Sequence, residues 1–197
     1  MTKLQAVNHI LKAVGLYDIP SLDTGGKSEA GYIESLIDEV DLEVQLEGWH
    51  YNVHLKKELA KDGSDRVALP TGAIAMWDAR NQDWMDLTQI GQYLYDLDEE
   101  TNQLTNVDTV DATVVFRFSW GCIPAPIRMY IAARAAVRYA ENRIDQHKLR
   151  IWTLQQREKE AERRARQFNN RSKEVNILDS GDARDARGNR FPTRWGY

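Results

Sequence analysis

The spacing of apolar residues changes period twice along this chain. Leu4, Val7, Ile10, Leu11 and Val14 recur at helical spacing and Gly15 is a natural stop, so a short amphipathic helix is predicted over 3–14. LYDIPSLDTGGK follows as a loop, marked by Pro20 and the Gly25–Gly26 pair. Ser28 then caps a longer helix reaching about Glu47, with Gly48 at its end. Ile33, Leu36, Ile37, Val40 and Val44 form its apolar stripe, and Glu34, Asp38 and Asp41 are expected roughly opposite.

From Trp49 the period drops to two. Trp49, Tyr51, Val53 and Leu55 alternate with His50, Asn52, His54 and Lys56, the pattern of a half-buried strand. KDGSD at 61–65 signals a hairpin, and MWDA, WMDL, QYLYDL and ATVVFRFSW follow between Gly-, Asn- and Asp-rich turns. Residues 49–120 thus read as a small antiparallel β insertion holding Trp49, Trp77, Trp84 and Trp120. Helical spacing returns after IPAP, where proline is tolerated in a first turn. One helix is expected over 125–144 and another from about His147 to Phe168, with a bend at RIDQH. A single continuous helix is the alternative, since neither Gly nor Pro separates them.

The fold class is therefore α+β, a mainly helical bundle with a β insertion. The expected boundaries are 1–48 and 121–168 for the bundle, 49–120 for the insertion, and 169–197 for an extended C-terminal arm. The arm shows no helical or strand period, yet holds two apolar clusters, Val175, Ile177 and Leu178, then Phe191, Trp195 and Tyr197. A tail with no core of its own ordinarily sheds such residues. Its 29 residues reach at most roughly 95–100 Å when extended, enough to cross a neighbouring molecule. The arm thus reads as an assembly strap, against the plainer alternative of a disordered terminus.

Composition is ordinary for a globular chain, at 42% hydrophobic and 28% charged, and no apolar stretch approaches membrane-spanning length. MTKLQAVNHI has no signal-peptide pattern, so synthesis in the cytoplasm is expected. Charge is less even. Residues 1–127 carry 9 Lys+Arg against 21 Asp+Glu, a net −12, while residues 128–197 carry 17 against 9, a net +8. Opposite halves suit electrostatic matching between copies or with partners, although a solvated basic helix explains the same numbers.

Chemical motifs are weak. GGKS at 25–28 lacks the glycine a phosphate loop needs where Ser21 stands, and reads as a turn followed by a helix cap. His50 and His54 share a strand face without a third ligand, and the lone Cys122 excludes a multi-cysteine metal site. The run Asp96, Asp98, Glu99, Glu100 offers carboxylates for a glycan hydrolase, but between QYLY and TNQLT it reads as a hairpin turn. No nucleophile elbow or dinucleotide fingerprint is present, and no cofactor or metal is expected. A DNA-binding packaging protein would concentrate cations, whereas here arginines alternate with Glu and Asp at a pI near 5.6.

Five segments then suggest a family: AVNHILKAVGLYDIPSL, EGWHYNVHL, RVALP, PAPIRMYIAARAAVRYAENRI and NILDSGDA, in this order and spacing. Together they resemble the tail tubular protein A family of T7-like short-tailed bacteriophages, the head-to-tail adaptor. IDQHKLRIW departs from the family's usual Gly-containing turn, and FPTRWGY falls outside the recognised pattern. The resemblance implies a structural, non-enzymatic virion protein that forms a homo-oligomeric, dodecameric ring beneath the portal protein. It further implies that the ring receives the tail nozzle (tubular protein B), seats the tail fibres, and passes double-stranded DNA without specific binding or membrane insertion.

Three sets of residues carry that expectation. The arm, with Val175, Ile177, Leu178, Asp179, Phe191, Trp195 and Tyr197, is expected to reach the portal or a neighbouring subunit. Trp77 and Trp84 flank a DARNQD turn and are candidates for nozzle or fibre contact, unless both simply pack the β core. Glu34, Asp38 and Asp41, or Arg163 and Arg164 on the late Glu/Arg helix, are candidates for the channel wall.

Overall fold

The computed structural model describes residues 1–22, 28–80, 86–143 and 148–178. Four helices and five strands follow the expected α+β order: α1 Lys3–Ala13, α2 Glu29–Leu46, β1 Val53–Ala60, β2 Ala73–Arg80, β3 Leu87–Ile90, β4 Tyr93–Asp96, β5 Thr109–Phe116, α3 Ala125–Arg143 and α4 Lys148–Leu178. Both early helices start as their sequences dictate. Thr2 and Gln5 form a reciprocal capping box on α1, and the Ser28 hydroxyl accepts from the Gly31 N–H on α2. The α2 stripe Ile33, Leu36, Ile37, Val40 and Val44 is buried against Val7, Ile10, Ile127, Ile131 and Ala135.

α3 and α4 are separate helices packed antiparallel. At one end Gln155 donates to Glu141, and at the other Pro126 and Phe168 line the same groove. Alanines at 132, 135, 136 and 140 are buried on α3, which lets its neighbours approach closely. Ile144–His147, where the bend was expected, lie outside the described residues. α4 does not stop at Phe168 but continues ten residues to Leu178, so the first third of the expected arm is helical. NNRSKEVNIL contains no Gly or Pro to end a helix, and polarity alone does not stop one.

The five strands form one antiparallel sheet in the order β1-β5-β2-β3-β4. Residues Val67 and Ala68 bridge Lys61 beyond β1 to Tyr93 in β4, so a short segment links the two outer strands. Leu59, Val67, Leu94, Leu104, Val110, Ala112 and Val114 fill a second small core. The KDGSD turn forms as expected, with Asp62 accepting from the backbone N–H groups of Ser64 and Arg66.

The strict alternation predicted from Trp49 is broken. β1 begins at Val53, and Trp49 lies in the helical core, its indole N–H donating 2.6 Å to the Val44 carbonyl. A bulge between His54 and Lys57 adds one residue opposite β5, and Lys56 takes a positive φ of 50°. Positions sharing a face therefore switch from even before the bulge to odd after it. Leu55 is left exposed while Leu59 is buried. Trp120, also expected in the β insertion, packs against the helices and donates to the Met1 carbonyl.

Candidate assembly surfaces

The helical and β cores meet at a buried polar joint. Gln45, near the end of α2, donates 3.0 Å to the Phe118 carbonyl and accepts 2.8 Å from the Phe118 N–H. Asn52 donates to the carbonyls of Gln45 and Phe116 and accepts from the Trp49 N–H. Both side chains are fully buried, and their hydrogen bonds supply the directionality that apolar packing lacks. Just beside this joint the Trp77 ring from β2 lies over Gly48, whose φ is +72°. Trp77 is thus a packing residue of the joint with one exposed edge, 39% accessible. Trp84 lies outside the described residues.

The acidic residues of α2 are largely engaged within the protomer. Lys3 Nζ stands 3.1 Å from Glu34 and 2.7 Å from Asp38. Asp41 is buried rather than solvent-facing, because it borders the apolar stripe and accepts from Gln45 Nε2. Burial pushes its carboxyl above the usual carboxylate range, against the opposing pull of Gln45 and of Arg117 at 3.8 Å. Farther along α2, Glu43 pairs with Arg138 and Arg134, and Glu47 with Arg134 and Arg166. The Arg138 hydrogen bond holds Glu43 below its ordinary value. The charge asymmetry along the sequence is therefore matched in part inside one copy, not only between copies.

α4 presents the opposite situation. Its inner side carries the buried Leu154 and Ala165, and Arg166 and Asn169 on one flank reach Glu47 and the His50 N–H. Charge alternates around its exposed residues, with Arg164 paired to Glu160, Arg166 to Glu162, and Arg163 exposed. On the other flank, α4 and the start of α3 enclose an open groove of about 520 Å³. Pro126, Met129, Ala133, Ala161 and Phe168 make its floor, and Arg157, Arg164 and Arg171 stand seven residues apart along one rim. Met129 and Phe168 remain 53% and 38% exposed, large apolar side chains that the protomer leaves uncovered.

Sequence reasoning missed this groove. Met129 and Phe168 each sit just off the buried stripe of their own helix, and only the pairing of α3 with α4 brings them together. Of the arm residues, Val175, Ile177 and Leu178 fall in the final turns of α4, whereas Asp179, Phe191, Trp195 and Tyr197 lie outside the described residues.

Asp96 is buried and accepts from the N–H groups of Asp98 and Glu99, so the acidic run is a turn closing β4, as its spacing predicts. No group of three or more His, Cys, Asp or Glu is placed to hold a metal ion, among the described residues. His50 precedes β1 instead of sharing a strand face with His54, whose ring packs 4.7 Å from that of Phe116. No described helix is long and apolar enough to cross a membrane.

The described surface thus offers an open apolar groove and a long charged helix, on a body whose two cores are held together by a buried polar joint. The profile of the family described as tail tubular protein matches residues 4–175, so the chain belongs to that family. It is a structural component of a virion tail, of the kind found in T7-like phages. Among curated proteins, none matches.

Proposed function

We propose that this protein is the head-to-tail adaptor of its virion, a ring subunit seated between the portal and the tail nozzle. The ring also seats the tail fibres and passes double-stranded DNA during ejection. The observation that carries this reading is the family match over residues 4–175, nearly the whole chain. A ring uses heterologous contacts, so each copy needs two different complementary surfaces. The open α3–α4 groove and the far end of α4, with the arm beyond it, supply two such surfaces.

The channel wall is better assigned to α4 at the exposed Arg163, with Arg164 and Glu160 on the border it shares with the groove, than to α2. Glu34 and Asp38 are held by Lys3, and Asp41 is buried. Mixed charge on a lumen wall lets phosphates pass without holding them, since tight binding needs an uninterrupted cationic surface. The exposed edge of Trp77, together with Trp84, remains our candidate for the nozzle or fibre contact. The arm, including Phe191, Trp195 and Tyr197, is assigned to assembly.

Negative-stain images of the purified protein, alone and mixed with portal, test the proposal. Annular particles that stack on the portal are expected. Persistent monomers in both samples, or nanomolar salt-sensitive affinity for duplex DNA, would overturn it.

A further inference from the structure

We propose that the groove between α3 and α4 is the receptor for the aromatic segment 191–197 of a neighbouring copy. The inference rests on the adaptor reading above and names the surface on which its arm closes. Three observations carry it. The first is chemical. A floor of Pro126, Met129, Ala133, Ala161 and Phe168 suits aromatic rings, through apolar contact and through the Met129 sulfur. Arg157, Arg164 and Arg171 line the same groove, Arg164 paired there to Glu160, and guanidinium groups so close to an apolar floor favour aromatic partners. FPTRWGY brings three aromatics and a proline within seven residues, and it is the only stretch of this chain so composed.

The second observation is length. Between Arg157 and Arg171 the groove follows α4 for about 21 Å at the helical rise. Residues 191–197, extended, cover about 20 Å. Segment and groove match end to end.

The third is direction. α3 begins at Ala125, which faces the groove together with Phe168 and Arg171. α4 continues seven residues beyond Arg171, about 10 Å of further helix before Leu178. The helix thus ends beyond the Arg171 end of its own groove, and residues 179–190 add at most about 40 Å of reach, enough to bring 191–197 to the groove of an adjacent copy. Repeated around a closed ring, such a contact fills every groove and leaves no arm unpaired.

Disulfide trapping in assembled rings tests this. In a Cys122→Ser background, which removes the exposed native thiol, Met129→Cys and Gly196→Cys copies are mixed, assembled and oxidised. Both changes spare the arm's aromatics, and Met129 is half exposed, so folding is retained. Linked dimers are expected from the mixture and not from either variant alone, and a chain carrying both changes is expected to give a ladder of linked copies. Rings that form without linkage would overturn the inference while leaving the adaptor reading intact, as would a double variant that yields only internally linked monomers. Absence of rings from the unsubstituted protein with portal would instead sink the adaptor reading, and this inference with it. As a second arm, Met129→Glu should keep the helical circular dichroism and lower ring yield at least ten-fold; a wild-type yield would contradict the groove's role.

Discussion

A Cβ on Gly48 would stand 1.8 Å from Cη2 of Trp77, well inside any allowed contact. The residue that ends α2 is therefore glycine for two independent reasons. Its φ of +72° lies in the left-handed region, and the indole from β2 occupies the space a side chain would need. This contact fixes how the β insertion sits against the helices, next to the Gln45–Asn52 joint.

Gly48→Ala should accordingly cost about 2–4 kcal/mol, combining backbone strain with displacement of the ring. Urea denaturation measures it. The double variant Gly48→Ala/Trp77→Ala should lose less than the sum of the two single changes, because removing the ring relieves the clash. Strict additivity would mean that the two residues do not meet.

Gln45→Leu preserves volume while leaving both polar groups of the Phe118 backbone without their partner. A loss of about 2–3 kcal/mol is expected, the range for stranding buried hydrogen-bonding groups. The same substitution at a surface glutamine such as Gln156 should be near neutral. Equal effects at the two sites would remove the joint from the account.

Asp41 gives a pH dependence of defined sign. Its folded carboxyl titrates above the unfolded one, chiefly through burial, so the native state holds the proton more tightly. The stability this group contributes is complete below the unfolded carboxylate pKa and is lost as pH rises through the raised folded value. Asp41→Asn should flatten that part of the pH–stability curve and be at least as stable as the parent at neutral pH. Urea midpoints taken from about pH 4 to about pH 8 decide the matter. A variant weaker throughout would show instead that the Arg117 attraction outweighs burial.

How far the sequence carried the fold depended on whether local rules decided it. The caps at Thr2 and Ser28, the stop at Gly48 and the KDGSD turn are short-range devices, and each stands where its residues place it. The α2 stripe was equally legible, except that Asp41, on its border, is drawn inside by Gln45. Long-range pairing was not legible. The bulge after His54 inverts the faces of β1 through its pairing with β5, and Trp49 and Trp120 leave the β insertion to fill the helical core. The buried role of Gln45 and Asn52 depends on Phe118 and Phe116, more than sixty positions away, which supply their partners. The groove emerged only from the packing of α3 on α4. α4 itself ran on because nothing in its polar second half breaks a helix.

Removal of residues 179–197 tests the central claim most directly, since it deletes the arm beyond α4 and leaves every described element in place. Co-sedimentation with portal-bearing capsids lacking tails is the measurement. The full-length protein should pellet with the capsids, while the truncated protein, with unchanged circular dichroism and urea midpoint, should stay in the supernatant. Attachment of the truncated protein at the full-length level would contradict the account.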